Sequence, residues 1–494
     1  MARFGVNPIF TNHMVLQRDS IVPIWGTGTD GAIITVKYVG AEAEAVIAEG
    51  KWRVELPAQG AGGPYELTIS SGGESIVLQD VLFGDVWLAG GQSNMEWRLN
   101  SLADTKADIA AASFPNVRFY DVPRIAYEGE EGKSSSDSSW EVCTPERASE
   151  FSAVAYYFAK DLVQALDAPI GIVGCNWGGT SASCWVPEKV LTDDPELKCY
   201  VDEYYAEITG KDPAEVEAAV KQYAYQVNEY IRKQALGLEG VELGDYPWPP
   251  PVSPRSFLRP NGLYETMLRK AAPYGLKGFI YYQGESDAFM ATLYDRLLGT
   301  MIHTWRSDWG DPKLPFLFVQ LPGFGCDGNP DGEEWALLRE SQLIVTETVE
   351  NTAMAVVLEC GELNDIHPQN KKPVGERLAL AALRSVYGLD MESSGPVYHR
   401  MELNSGKAIV HFDHVGEGLA ARDDELTGFQ IAGEDGVYVR AQAAIRGNSV
   451  EVWSEEVGAP VSVRYGWANF PDANLVNSFG LPAGPFRTNR VGRS

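Results

Sequence analysis

The sequence predicts an α/β protein: a helix-flanked, mostly parallel sheet set between two β-rich regions of sandwich or jelly-roll character. Three observations carry that prediction. The chain has 494 residues, and single cores stop growing near ~250 to 300 residues, so a full catalytic domain plus accessory domains is expected. Between Asp85 and about Leu389, short apolar runs alternate with helical stretches, the texture of a parallel sheet covered by helices. On either side of that segment, β-rich runs follow one another with only turn residues between them. The expected division is 1–84 for an N-terminal β-sandwich, 85–393 for the catalytic domain with an insertion at about 190–256, and 394–494 for a C-terminal β-rich region.

The N-terminal part reads IVPIW, AIITVKYV, EAVIAEGKWRVEL, YELTIS and SIVLQDV, a spacing that suits an antiparallel sandwich. The buried strands of the middle segment are VWLAGG, PIGIVGCNW, LKGFIYYQG, LPFLFVQL and TAMAVVLE. Val190 to Leu236 is rich in Glu, Lys, Ala and Tyr and helical by pattern. The proline-dense DYPWPPPVSPRS follows it, and the two together read as an insertion lying on the catalytic domain. After about Ser394, GKAIVHFDH, GVYVRAQAAIRGNSVEVWS and VSVRYGWANF return to β texture.

Composition narrows the function. With 45% hydrophobic and 22% charged residues the chain is of globular type. Forty Lys and Arg stand against 68 Asp and Glu, a formal charge of −28, and a field of that sign opposes nucleic acid and anionic membranes. Neutral substrates suit it better. No run approaches the ~18 apolar residues of a membrane span, and MARFGVNPIF lacks the layout of a secretory signal, so a complete chain is expected in the cytoplasm and a secreted one if a signal has been removed. Six cysteines without a CxxC pair suggest buried reduced thiols rather than zinc or disulfides.

Two weak motifs read as structure. Gly26-Thr27-Gly28-Thr29-Asp30-Gly31 has the GxGxxG spelling, but a β-branched strand follows it where a phosphate site needs a helix, so a hairpin turn is expected. His411 and His414 would fall on opposite faces of a strand and form no metal pair. His13, His303 and His399 have no partner pattern. No metal or cofactor is expected.

The chemistry concentrates at strand ends. Gly90-Gly91-Gln92-Ser93-Asn94-Met95 closes the strand DVWLAG, where a glycine-permitted turn presents Ser93 at the carboxyl edge of the sheet. Met95 stands where a GxSxG elbow would need glycine. A serine needs a base, and the base an orienting carboxylate. Asp365-Ile366-His367-Pro368 supplies both: Pro368 disfavours helix at His367, and in an extended loop Asp365 can hold one imidazole nitrogen while the other faces Ser93. Oxyanion donors are available from Asn176-Trp177-Gly178-Gly179-Thr180 through a glycine amide, and from Gln283-Gly284-Glu285-Ser286 through the glutamine side chain. Glu285 reads as a buried carboxylate anchoring its loop.

These motifs, in this order, resemble the sialate O-acetylesterase family within the SGNH hydrolases. The matching pieces run over nearly the whole chain: NPIFTNHMVLQRD with VPIWG, GDVWLAGGQSNMEW, NWGGTSASCW, YYQGESDA, DIHPQNKKPVGERLA and VRYGWANFPDANLVNSFGLPAGPFRT. The resemblance implies a three-layer α/β/α catalytic domain with flanking β regions and a carbohydrate O-acetylesterase activity, on xylan, xyloglucan or mannan oligosaccharides or on O-acetyl sialic acid. It implies Ser93 as nucleophile, His367 as general base and acid, and Asp365 as orienting carboxylate. The oxyanion hole would be the amides of Ser93 and of Gly179 rather than Gly178, with Gln283 replacing the asparagine of the broader pattern. Trp97, Trp177 and Trp185 are candidates for stacking on sugar rings, and Arg255 and Arg259 for a sialate carboxylate, of which Arg259 is retained as a substrate contact. The rivals are a carbohydrate-binding protein with a vestigial site, and a lipase or thioesterase of the same superfamily.

Overall fold

The computed structural model describes residues 4–130, 138–238, 240–326 and 328–490. Strands Phe4–Val6, Val22–Gly28 and Lys51–Leu56 form one antiparallel sheet of the N-terminal sandwich. Ile33–Tyr38, Ala41–Val46, Gly62–Ser71 and the first half of Glu74–Gly91 form the other. Alternate residues point inward, as strand geometry requires: Trp52, Val54 and Leu56 are buried from one sheet, Ile34, Val36 and Tyr38 from the other. Gly26–Gly28 end the strand Val22–Gly28, and the turn at Thr29–Gly31 that follows is not a hairpin. The strand before it pairs with Phe4–Val6 and Lys51–Leu56, the strand after it with Ala41–Val46 and Gly62–Ser71, so the turn crosses between sheets.

Glu74–Gly91 is one 18-residue strand. Its first half belongs to the sandwich. Its second half is the centre of a parallel sheet, flanked by Ile170–Asn176 on one side and Gly278–Tyr282 on the other. The sheet continues outward through Phe114–Asp121 on the first side, and through Phe316–Val319 and Thr352–Ala355 on the second. The antiparallel Glu141–Cys143 makes one edge. The expected boundary at 84/85 falls inside this strand, and one apolar core runs through both parts. Helices cover both faces. Trp87 meets Phe158 of the helix Ala153–Leu166, whereas Gly90, three residues on and so on the opposite face, lies against Trp305 of the helix Tyr294–Asp308.

The insertion contains helices Glu188–Asp193, Lys198–Ala206 and Pro213–Ala235. Asp212 caps the last one, its side chain accepting from the Ala214 amide, and Pro213 occupies its first turn. That helix buries no residue. The first two helices bury Leu191, Tyr200 and Val201.

The C-terminal region has its own apolar core between two four-stranded sheets. It docks on the catalytic domain through Arg339, a fully buried side chain of the helix Glu334–Thr348. Arg339 donates to the carbonyls of Leu321 and Pro322 on one side and of Ala468 and Asn469 on the other. Arg487 adds a two-pronged pair with Glu340. His411 and His414 face different carboxylates, Glu402 at 3.7 Å and Glu392 at 3.0 Å. His13 pairs with Asp80, His399 with Asp413, and His303 lies exposed on its helix. None of the six cysteines is in a disulfide; Cys199 and Cys326 are only half-buried, against the expectation of burial for all six.

Candidate active site

Ser93 stands where the central strand ends. Gly91 has φ +130°, and a Cβ there would run into the Tyr282 carbonyl of the neighbouring strand, so the turn requires glycine. The Gln92 amide donates to that same carbonyl at 3.0 Å, and a single helical turn, Ser93–Glu96, begins at the serine. Ser152 fixes this turn from outside by donating to the Met95 carbonyl at 2.6 Å.

His367 arrives from the loop after Thr352–Ala355. Its backbone amide donates to Asp365 Oδ1 at 2.8 Å, an Asx turn that sets the loop's direction. Its Nε2 lies 2.8 Å from Ser93 Oγ, joining residues 274 apart in sequence. The indole of Trp97 stacks on the imidazole, 5.0 Å between centroids and 16° from parallel. Asp365 does not hold the ring as expected. Its Oδ1 is 3.8 Å from Nδ1, beyond hydrogen-bond reach, and accepts instead from the backbone amide. Burial moves the His367 pKa below its ordinary value, and the charge of Lys371 pushes it the same way, while Asp365 and Glu96 oppose. The imidazole is therefore neutral at neutral pH, the form a general base needs.

Beneath this pair lies a knot of buried polar groups, most of which sequence reasoning missed. Asn94 donates from Nδ2 to Glu285 and to the Ile366 carbonyl, and its Oδ1 accepts from the Lys371 ammonium. Lys371 is 1% exposed, between the faces of Trp97 and Tyr282. Burial pulls its pKa down to about 7, against the opposing charge of Glu285. Burial raises that of Glu285. Glu285 thus anchors its loop, as read from the sequence, but through Asn94. Nothing in QNKKP distinguishes Lys371 from its exposed neighbour Lys372; only the fold does.

The turn Trp177–Gly179 closes the site on the other side. A Cβ on Gly178 would sit 3.2 Å from Ser93 Cβ, so the two segments are in contact. Glu96 takes the Gly178 amide at 2.6 Å and pairs with Arg124 at 2.8 Å. Among the described residues, the amides of Ser93 and Gly179 have no partner. Gly179 has φ +75°. Gln283 is not placed as an oxyanion donor: it is buried, and its Nε2 hydrogens go to the Thr180 carbonyl and Asp287, while its Oε1 accepts from Tyr294. Trp185 is likewise a core residue, fully buried with its Nε1 on Thr180 Oγ1. Trp177 stacks on Phe257 at 4.7 Å and 4°. Arg259 lies against Gly262 with a buried, unpartnered Nε, and Arg255 lies over the Tyr127 ring; no contact joins either to Ser93 or His367. Trp248, which the sequence reading passed over, stands directly on Gly179. Among the described residues, no group of three or more His, Cys, Asp or Glu side chains is placed to hold a metal ion.

Comparison with known proteins gives the family of the chain. Residues 252–384 match the family model described as carbohydrate esterase, sialic acid-specific acetylesterase. A solved carbohydrate acetylesterase from Xanthomonas citri is 36% identical, with a TM-score of 0.81 over 99% of this chain and 100% of its own. The chain belongs to the sialate O-acetylesterase family. The sialate O-acetylesterase of Mus musculus is 27% identical over 96% of this chain and 92% of the relative, and that of Homo sapiens 26% over 96% and 90%. The family's α/β catalytic fold with flanking β regions accounts for the sheets described above.

Proposed function

We propose that this esterase hydrolyses acetyl esters on carbohydrate hydroxyls through a Ser93–His367 pair, with an acetyl-enzyme intermediate. The observation that carries the reading is the 2.8 Å approach of His367 Nε2 to Ser93 Oγ at the carboxyl edge of the sheet. Ser93 Oγ attacks the acetyl carbonyl as its proton passes to Nε2. The oxyanion that forms is met by the amides of Ser93 and Gly179, which have no partner among the described residues. The C–O bond to the sugar breaks, and the sugar oxygen takes the proton from Nε2. Water then adds to the acetyl-enzyme by the same route, releasing acetate and restoring the serine. Asp365 supports the transient imidazolium by charge at 3.8 Å and by shaping the loop. The fit between a poised base and a free oxyanion pair speaks against a vestigial, binding-only site.

The test is acetate release from acetylated xylan, xyloglucan and mannan oligosaccharides and from 9-O-acetyl sialic acid. Ser93→Ala and His367→Ala are each expected to lower turnover by ~10³-fold or more while keeping the wild-type Tm. Near-wild-type rates in either variant would remove the assignment. A preference for long acyl chains over acetyl would move the protein to the lipases or thioesterases.

A further inference from the structure

We propose that Trp248 forms the wall on which the acetyl-bearing sugar ring rests, and that the ligand class it selects is a neutral pyranose within an oligosaccharide. The proposal rests on the reading of Ser93 as nucleophile.

Trp248 comes from the proline-dense strap that follows the exposed helix Pro213–Ala235. The six-membered ring of its indole lies so close over Gly179 that a Cβ at that position would overlap it. Gly178, one residue earlier, touches Ser93. The indole therefore reaches the catalytic turn itself, from a segment some 70 residues further along the chain. It is 51% exposed, and a large apolar ring left half in water against the Gly179 turn adds little to folding. The backbone on either side of it is restricted: Pro247 precedes it, and Pro249, Pro250 and Pro251 follow, each fixing its own φ. Less backbone entropy is therefore lost when this segment is ordered on binding.

A flat apolar surface at this position matches the C–H face of a pyranose, which gains dispersion and loses water contact when laid on an indole. The surrounding charges also point to a neutral ring. Arg124, over the Trp177 ring at 5.9 Å, is already paired with Glu96. Trp177 in turn has Phe257 against it, and Trp97 has His367. Trp248 differs from these two in presenting a half-exposed indole at the catalytic turn.

The experiment compares Trp248→Ala and Trp248→Phe with the wild type on acetylated xylo-oligosaccharides, on 9-O-acetyl sialic acid, and on ethyl acetate, which has no ring to stack. For Trp248→Ala the expected result is a KM about tenfold higher on the oligosaccharides with kcat nearly kept, at most about a threefold loss of kcat/KM on ethyl acetate, and substantial recovery in Trp248→Phe. An unchanged KM on the oligosaccharides overturns the proposal. So does an equal loss on ethyl acetate, which would make the indole a prop for the Gly179 turn, and so does a dependence seen only with the sialic acid ester. A wild-type enzyme that cleaves ethyl acetate and no sugar ester overturns the substrate reading as well, a failure distinct from the others because no variant is needed to see it.

Discussion

Replacing Asp365 by asparagine separates two roles that a catalytic carboxylate usually combines. In this site the aspartate accepts from the His367 backbone amide at 2.8 Å but stands 3.8 Å from the ring nitrogen. Asparagine keeps a carbonyl oxygen for the Asx turn and loses only the charge. At 3.8 Å a unit charge stabilises an imidazolium by ~1 kcal/mol in water-like surroundings and ~4 kcal/mol at an effective dielectric of 20. The Asp365 side chain is 45% exposed, which draws the value towards the lower end. The expected loss in kcat/KM for Asp365→Asn is therefore about 10- to 100-fold. Where a buried aspartate bonds the imidazole directly, the same substitution costs ~10⁴-fold. Asp365→Ala should cost more than Asp365→Asn, since the turn goes with the charge. Because Asp365 raises the His367 pKa, its loss should also move the acidic limb of the kcat/KM profile to lower pH. The assay is acetate release from p-nitrophenyl acetate across pH 4.5 to 9, with Tm measured in parallel. A loss of ~10⁴-fold in Asp365→Asn at unchanged Tm would refute the reasoning, by showing that the bond to Nδ1 closes during turnover.

The remaining expectations follow from the same geometry. In the wild type, kcat/KM should rise through a midpoint below the ordinary histidine value of 6.5, because burial and Lys371 both favour the neutral base; in Lys371→Met that midpoint should move up, and a midpoint that stays put would show that the ammonium does not act on His367. Gly179→Ala places a side chain at φ +75° and against Trp248, so it should lose at least ~1 kcal/mol of stability by thermal unfolding and lower kcat more than it raises KM; wild-type kcat would remove Gly179 from the oxyanion site. Gln283→Ala takes one bond each from Asp287 and the Tyr294 hydroxyl, which keep other partners, and leaves the Thr180 carbonyl without its donor, at ~1–3 kcal/mol for the buried carbonyl left unpaired. A Tm several degrees lower with kcat within about tenfold is expected, whereas a 10²- to 10³-fold fall in kcat at unchanged Tm would restore Gln283 as an oxyanion donor.

Much of this was legible in the sequence because local chemistry and global position agree. A glycine pair ending an apolar strand and a DxHP loop after another put Ser93 and His367 at one sheet edge, and that edge is where the parallel strands bring them together. What stayed hidden depends on which groups have already been used. A glutamine beside a catalytic strand offers an amide on paper; its hydrogens are spent on Thr180 and Asp287 once the chain is folded. Asp365 two residues before His367 suggests a ring contact, but the backbone amide between them is the nearer donor. The GxGxxG-like turn was legible as a turn and not as a crossing between sheets, because strand pairing is decided by partners remote in sequence. Trp248 was hidden for another reason: a proline-rich strap has no periodicity from which to place a side chain.

The knot under the nucleophile explains how three loops hold one geometry without a direct bond between Asp365 and the imidazole. Asn94, next to the nucleophile, bonds the Ile366 carbonyl, next to the base. A shift of either loop therefore strains the bond that joins them. Glu285 and Lys371 grip the same amide from opposite ends, one as acceptor and one as donor, so the asparagine cannot rotate without losing both. Burying an ammonium and a carboxylate is poorly repaid in stability, and the lowered Lys371 and raised Glu285 pKa values record that cost. The return is directional. An apolar filling of the same volume would pack the space beneath the site but leave the Ser93 and His367 loops free to slide, and the 2.8 Å contact between them is what the chemistry requires.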